Sequence, residues 1–229
     1  MLKIAGLMKL TLLDFPTKVA CTVFLAGCNF RCPFCHNASL VRGGEQEISK
    51  EELFDFLKKR KGVLDGVCIT GGEPLMSDGA TELAKEIKEL GFSVKIDTNG
   101  SYPQRLETLL SEGIADYVAM DIKNAQGAYP LACGIDVDIE KIKRSIEIIK
   151  ASGVPHEFRT TVVKGIHTAR DIAECAEWVG EGEPYFLQCY KESEDIIAPE
   201  GLTSFGKEEL DAILAEARKF NSKTELRGV

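Results

Sequence analysis

Three cysteines stand close together in the segment "GCNFRCPFCHN", where Cys28, Cys32 and Cys35 have the spacing C-x3-C-x2-C. A structural zinc ion takes four ligands, and the nearest fourth ligand, His36, is adjacent to Cys35, which disfavours convergence of both on one tetrahedral ion. A [4Fe-4S] cube held by three cysteines leaves one iron open to a substrate, whereas an electron carrier usually uses four. The spacing therefore favours one [4Fe-4S] cluster with an open iron.

Further polar motifs follow short apolar runs along the chain. In the segment "GGEP", the two glycines Gly71 and Gly72 let the backbone approach a small ligand closely, and the carboxylate of Glu73 suits an ammonium group. Lys123 suits a carboxylate, so the two side chains together predict an amino acid or a derivative of one as the ligand. A Gly-Gly turn after a strand is common, so "GGEP" alone is a weak signal. The candidate residues are Gly71, Gly72, Glu73 and Pro74 in "GGEP", Asp97 and Asn99 in "DTNG", Asp121 and Lys123 in "DIK", and Arg159 in "EFRTTVV".

Short apolar runs alternate with longer charged stretches of helical periodicity, and six such strand and helix units predict an α/β fold with parallel strands. Six units are too few to close an eight-stranded barrel, so we expect an open or partial barrel or a doubly wound sheet, each with its ligand at the carboxyl ends of the strands. We expect a single domain over residues 1–229, with a last helix at about 207–220. The predicted strands are Lys18–Leu25, Gly66–Thr70, Ser93–Asp97, Tyr117–Ile122, Glu157–Val163 and Tyr185–Cys189, and the other helices are Ser49–Lys61, Gly79–Leu90, Gln104–Ser111, Asp138–Ala151 and Ala169–Val179.

Composition and charge narrow the function classes. The chain has 229 residues, 44% of them apolar, and a formal net charge of −8, which disfavours nucleic acid as a partner because phosphates repel acidic surfaces. The sequence contains no apolar run of the roughly 20 residues that a membrane span needs, and its first residues lack the pattern of a signal peptide, so we expect a cytoplasmic protein. The remaining cysteines are isolated and predict no second cluster: Cys21, Cys68, Cys133, Cys175 and Cys189.

The cysteine motif, with the aromatic Phe34 before Cys35, resembles the signature C-x3-C-x-aromatic-C of the radical S-adenosylmethionine (SAM) superfamily. The resemblance implies a partial (β/α)6 barrel, one [4Fe-4S] cluster and S-adenosylmethionine as cosubstrate. In that family the unique iron chelates the amino and carboxylate groups of S-adenosylmethionine, and the reduced cluster cleaves the sulfonium to methionine and a 5′-deoxyadenosyl radical.

Longer segments resemble one branch of this superfamily. "CNFRCPFCHN", "TGGEP", "DTNG" and "MDIK" together resemble the activating enzymes of glycyl-radical enzymes. The opening "LLDFPTKVACTVFLAGCNFRCPFCHN" and the closing "ELRGV" resemble the activating proteins of anaerobic ribonucleoside-triphosphate reductase. This resemblance implies that reductase as the protein partner and a reduced flavodoxin or ferredoxin as the electron donor.

The same resemblance implies roles for individual residues. It places Glu73 at the amino group of the cosubstrate. It places Asp97, Asp121 and Lys123 near the carboxylate, with or without a monovalent cation, and Arg159 at the cosubstrate or the target peptide. Plain alternatives remain, because Asp97 could cap a turn and Lys123 could be a solvated charge. The implied cosubstrate site is completed by Phe34, Asn37, Gly71, Gly72, Pro74 and Asn99.

Three alternative functions remain open at this stage. The chain could activate another glycyl-radical enzyme, such as pyruvate formate-lyase, because the motifs barely distinguish the targets. It could be a radical enzyme of the 7-carboxy-7-deazaguanine synthase kind, although "DIK" and "CHN" argue against this. It could also be a non-enzymatic metal or electron-transfer protein, which reductive cleavage of S-adenosylmethionine would exclude.

Overall fold

Strands and helices alternate along the chain from Ile4 to Arg227. The computed structural model describes residues 2–43, 48–193 and 195–228; Val229, the end of the "ELRGV" motif, lies outside them. The strands in this part of the chain are β1 (Ile4–Thr11), β2 (Ala20–Leu25), β3 (Gly66–Gly71), β4 (Ser93–Thr98), β5 (Tyr117–Asp121), β6 (His156–Val162), β7 (Tyr185–Cys189) and β8 (Thr224–Arg227). The helices are α1 (Ala38–Val41), α2 (Lys50–Lys59), α3 (Asp78–Glu89), α4 (Pro103–Ser111), α5 (Tyr129–Cys133), α6 (Ile139–Ser152), α7 (Ala169–Val179) and α8 (Lys207–Ala217).

The six predicted strands correspond to β2 through β7, and the structure adds one strand at each end of this series. β1 is antiparallel to β2, whereas β8 is parallel to β7. The sheet order follows the chain from β1 to β8, and the result is an open, mostly parallel α/β sheet of the partial-barrel class. The sequence hid β1 because this terminal strand exposes three successive residues instead of alternating, and it hid β8 because that strand has only four residues.

The predicted helix boundaries agree with the structure to within a few residues. Ser49 caps α2 through a capping box with Glu52, as the sequence predicts, which satisfies backbone N–H groups that the first turn leaves without partners. The last helix, α8, ends at Ala217 instead of Phe220. Arg218 donates from Nε to the Thr224 carbonyl at 2.9 Å, so the chain turns there toward β8.

Two compact units divide the described chain. The first unit comprises residues 1–29, 39–119 and 140–155. It contains β1 to β4 and most of β5, and β2, β3 and β4 are parallel. Its helices bury one apolar face each, so its core is built from strand and helix side chains such as Val23, Ile69, Leu57, Ile87 and Leu106.

The second unit comprises residues 30–38, 120–139 and 156–229. It contains the end of β5 and the parallel strands β6, β7 and β8. Phe158 of β6 and Leu187 of β7 are fully buried, as are Ile172 and Ala176 of α7. Because β2, β3 and β4 are parallel in the first unit and β6, β7 and β8 in the second, the carboxyl ends of each set lie at one edge of that unit's sheet. Across the described residues, no helix is long and apolar enough to cross a membrane.

Candidate active site

Cys28, the first cysteine of the motif, follows the carboxyl end of β2. Gly27 precedes it with φ +92°, a left-handed conformation that favours glycine. The backbone N–H of Gly27 donates to the Leu40 carbonyl at 2.9 Å. This turn fixes the direction in which the chain enters Cys28, whose side chain is partly buried.

The two glycines of "GGEP" pack the end of β3 against the end of β2. Gly72 N–H donates to the Leu25 carbonyl and Glu73 N–H to the Gly27 carbonyl, each at 2.9 Å. A Cβ atom on Gly72 would lie 1.9 Å from the Gly27 oxygen, and Gly71 has φ +118°. The sequence predicts glycine here for close approach to a ligand; the structure shows a close approach to the backbone beside Cys28.

The carboxylate of Glu73 is 2% exposed and ties β3 to the end of β4. One oxygen accepts from Leu75 N at 3.0 Å and from Thr98 Oγ1 at 2.8 Å, and the other accepts from Asn99 N at 2.6 Å. Glu73 also caps the 3-10 turn that begins at Pro74. The side chain is therefore already fixed by its own chain, and its contact with the cosubstrate stays a prediction.

Asn99 connects the end of β4 to the cysteine motif. Its side-chain amide donates to Asn29 Oδ1 at 2.9 Å, and its own oxygen accepts from Ser101 N at 3.0 Å. Asn29 directly follows Cys28. Asn29 is not among the predicted site residues, although its position beside a candidate ligand was a usable signal.

Asp97 has an internal cationic partner. Lys95, which is 1% exposed, lies two residues earlier on β4 and forms an ion pair with Asp97 on the same face of the strand. Thr70 Oγ1 donates to the other carboxylate oxygen of Asp97 at 3.3 Å. A lysine inside the apolar run "SVKID" is the sequence signal for this pair, although Lys95 is not among the predicted site residues.

The other two cysteines belong to the second unit and close a turn. Cys35 N–H donates to the Cys32 carbonyl at 3.1 Å. Arg31 N–H donates to the carbonyl of Cys133 at 2.8 Å, and a hydrogen bond from the Cys133 side chain lowers the pKa of Cys32. Burial raises the pKa of Cys35, opposed by the backbone N–H of Asn37. Cys133, an isolated cysteine in the sequence, thus lies beside the motif.

Asp121 lies at the end of β5 between two cations. Lys123 Nζ donates to one carboxylate oxygen at 3.0 Å, and Arg159 Nε donates to the other at 2.9 Å. Burial alone would raise the pKa of Asp121, but Arg159 and Lys123 outweigh burial and lower it to about 2. Burial likewise opposes the charge of Lys123, yet Asp121 raises the pKa of Lys123 above its ordinary value. All three groups are therefore charged at neutral pH.

His167 holds the segment after Asp121 and contacts the aromatic residue of the motif. Val163 N–H donates to His167 Nδ1 at 3.0 Å, so the proton is on Nε2, which donates to the Lys123 carbonyl at 2.8 Å. Burial lowers the pKa of His167, which keeps this neutral tautomer. The Phe34 ring stands edge-on to the imidazole with centroids 6.0 Å apart. No local sequence pattern indicated this role of His167.

Comparisons with known proteins place the chain in a family. The family model described as "Radical SAM superfamily" matches residues 22–179. The chain belongs to the radical SAM superfamily. A "Putative glycyl-radical enzyme activating enzyme" of Methanocaldococcus jannaschii is 36% identical over 82% of this chain and 80% of its own. The pyruvate formate-lyase-activating enzyme of Clostridium pasteurianum is 33% identical over 53% of this chain and 52% of its own.

A solved structure shows the same fold. Streptococcus suis SuiB, determined bound to S-adenosylmethionine, superposes with a TM-score of 0.67 over 88% of this chain and 48% of its own, at 14% identity. The partial barrel that the resemblance to the radical SAM superfamily implies is thereby confirmed, and the doubly wound sheet that six units also allowed is not the fold. Enzymes of the radical SAM superfamily use a [4Fe-4S] cluster and S-adenosylmethionine.

The donor set of the motif suits such a cluster. Nowhere in residues 2–43, 48–193 and 195–228 do three or more His, Cys, Asp or Glu side chains converge on a position for a single metal ion. A cubane cluster instead attaches each thiolate to a different iron, so three cysteines suit three of its four irons. The cysteines among the described residues form no disulfide, so the sulfurs of Cys28, Cys32 and Cys35 can lose their protons and ligate iron as thiolates.

Proposed function

We propose that this chain is an activating enzyme that generates a glycyl radical on a partner enzyme, and that the partner is anaerobic ribonucleoside-triphosphate reductase. The observation that carries the activating function is the similarity to the M. jannaschii relative over most of both chains. The choice of the reductase rests on the opening and closing segments of the sequence, which resemble the activating proteins of that enzyme.

In this proposal Cys28, Cys32 and Cys35 would hold one [4Fe-4S] cluster, whose open iron would bind S-adenosylmethionine. Once held by these cysteines and reduced by a flavodoxin or ferredoxin, the cluster would supply the electron that splits S-adenosylmethionine into methionine and a 5′-deoxyadenosyl radical. That radical would take a hydrogen atom from a glycine of the partner. The protein contributes positioning and the exclusion of water and oxygen. We propose that residues 1–229 form one radical SAM domain and that the protein acts in the cytoplasm.

The polar groups of the chain orient the cosubstrate in this scheme. Glu73, held by Thr98 and Asn99, faces the ammonium group, while Lys123 attracts the carboxylate. Asp121 is held ionised by Lys123 and Arg159, so it keeps both cations in fixed positions. Asp97 forms an ion pair with Lys95. A monovalent cation at the cosubstrate carboxylate would add to the positive charge that these lysine and arginine side chains supply.

The experiment reconstitutes the cluster anaerobically, reduces it, and adds S-adenosylmethionine with the anaerobic ribonucleotide reductase of the same organism. The expected result is a glycyl-radical doublet in the electron paramagnetic resonance spectrum of the reductase. The Cys28→Ala variant is the control and should give no doublet.

Two other outcomes contradict different parts of the proposal. If 5′-deoxyadenosine forms and the reductase carries no radical, the choice of target is wrong, and pyruvate formate-lyase and other glycyl-radical enzymes become the next substrates to assay. If a loaded cluster produces neither the radical nor 5′-deoxyadenosine, the activating function itself is wrong.

A further inference from the structure

Five side chains of alternating charge form a continuous series in the second unit. Arg227 of β8 donates two hydrogen bonds, of 3.0 Å and 2.8 Å, to the carboxylate of Glu157 of β6. Arg159 Nη1 lies 3.9 Å from the same Glu157 carboxylate, and Arg159 Nε lies 2.9 Å from Asp121. Lys123 completes the series at 3.0 Å from Asp121. The series therefore runs from the closing segment of the sequence to the "DIK" motif.

Glu157 requires a strong partner because its side chain is 3% exposed. A buried carboxylate is costly unless it is paired and hydrogen-bonded. The planar guanidinium of Arg227 matches a carboxylate with two parallel bonds. Its carbon also lies 3.3 Å from the centroid of the Phe186 ring, which fixes the plane of the fork.

Arg159 lies between two carboxylates and bonds closely to only one. Glu157 and Arg159 are two residues apart on β6 and share a face of the strand. Arg159 is 2.9 Å from Asp121 but 3.9 Å from Glu157, whose two oxygens both accept from Arg227. Without Arg227, the Glu157 carboxylate would attract Arg159 away from Asp121.

We propose that Arg227 is a positioning residue for cosubstrate binding: by holding Glu157, it keeps Arg159 on Asp121 and so fixes the Asp121–Lys123 pair that meets the amino-acid end of S-adenosylmethionine. This inference rests on the proposed function, since it takes Asp121 and Lys123 as parts of the cosubstrate site. It gives the closing "ELRGV" segment a role in the site through charge, although Arg227 itself contacts no ligand in this scheme.

The test measures the dissociation constant of S-adenosylmethionine on anaerobically reconstituted, unreduced protein by calorimetry, so that no turnover occurs. All variants are compared at equal iron and sulfide content. Arg227→Met should weaken binding about tenfold, the lower end of what a hydrogen bond to a charged group contributes. Glu157→Gln removes the competing charge and should bind within about twofold of the wild type.

The double variant Glu157→Gln/Arg227→Met separates positioning from simple loosening of β8. It should restore binding to within about twofold of the wild type, because no buried anion then competes for Arg159. Arg218→Met is the matched control, since Arg218 joins the end of α8 to the Thr224 carbonyl of β8. It should lower the urea midpoint of unfolding and leave the dissociation constant unchanged.

Several results would overturn the inference. Wild-type affinity in Arg227→Met contradicts it, as does a double variant as weak as Arg227→Met, or an equal loss of affinity in Arg218→Met. If Arg227→Met does not fold, Arg227→Gln, which also removes the positive charge, replaces it, and an unchanged dissociation constant in that variant has the same meaning. If the wild-type protein with an intact cluster does not bind S-adenosylmethionine, the proposed function fails, and the role of Arg227 falls with it.

Discussion

Replacing Glu73 by glutamine tests the buried acceptor that joins β3 to β4. The substitution keeps the shape of the side chain but turns one acceptor oxygen into an NH2 group. If the remaining oxygen serves Leu75 N and Thr98 Oγ1, the NH2 group faces the Asn99 N–H, which now lies 2.6 Å from the carboxylate. If the amide is turned over, the NH2 group faces the Leu75 N–H. Either orientation leaves one buried backbone N–H without its acceptor.

The size of the effect follows from these contacts. A hydrogen bond to a charged group contributes about 1.5–3 kcal/mol, and an unsatisfied buried donor costs about 1–3 kcal/mol. The two figures overlap because they describe partly the same loss, so we expect Glu73→Gln to lower the free energy of unfolding by about 2–4 kcal/mol. Glu82→Gln, on the exposed face of α3, should change it by less than about 0.5 kcal/mol.

The assay is urea unfolding of anaerobically reconstituted protein, followed by circular dichroism at matched iron content. Thr98→Val removes the hydroxyl that donates to Glu73 and accepts from Gly100 N–H, and it should cost about 1–3 kcal/mol. Combined with Glu73→Gln it should cost less than the sum, because the two side chains share one hydrogen bond. A Glu73→Gln variant as stable as the wild type would refute the assignment of this carboxylate as a buried acceptor.

Cosubstrate affinity is a separate measurement on position 73. Glu73→Ala should keep the cluster and weaken S-adenosylmethionine binding on the order of ten- to a hundredfold, because a charge-assisted hydrogen bond is lost. A variant that is less stable yet binds with unchanged affinity would remove Glu73 from the cosubstrate site and leave it a structural role.

Three further predictions concern the backbone turns and the cysteine motif. Gly72→Ala should reduce cluster loading and should lower the free energy of unfolding by about 1–3 kcal/mol or more, because the new Cβ would lie 1.9 Å from a backbone oxygen. Gly127→Ala is the control, since its Cβ would meet nothing within 4 Å, and it should be neutral in the same urea assay. Cys28→Ala should lose the cluster, measured as iron content, and Cys21→Ala should retain it; iron loss in both would contradict the ligand assignment. His167→Phe should lower the urea midpoint. Because burial lowers the pKa of His167 in the folded state, the wild-type advantage should shrink as the pH falls below the unfolded pKa of about 6.5. A pH-independent difference would contradict the neutral state of this buried imidazole.

The sequence predicted the elements whose signal is local. Runs of four to eight apolar residues followed by glycine or a polar residue located β2 to β7. The cysteine motif, "GGEP", "DTNG" and "DIK" lie at the ends of β2 to β5, whereas Arg159 lies in the middle of β6. β1 and β8 were not predicted, because a terminal strand and a strand of four residues show little hydrophobic periodicity. Lys95 and Asn29 were missed although each had a local signal, the lysine inside the apolar run "SVKID" and the position next to Cys28. His167 was missed because its partners, Lys123 and Phe34, are distant along the chain, and no short window of sequence reveals such contacts.

The same distinction changes the interpretation of the predicted acidic residues. Sequence patterns present Glu73, Asp97 and Asp121 as three carboxylates available to a ligand, yet each has strong partners within its own unit: backbone and hydroxyl donors at Glu73, Lys95 at Asp97, and two cations at Asp121. A carboxylate held in this way is fixed in position before any ligand arrives, so binding need not order it. The folded state depends on these partners, because removal of one of them leaves a buried charge uncompensated and destabilises the protein. The residues that hold the acidic groups should therefore affect cosubstrate affinity as strongly as several of the motif residues themselves.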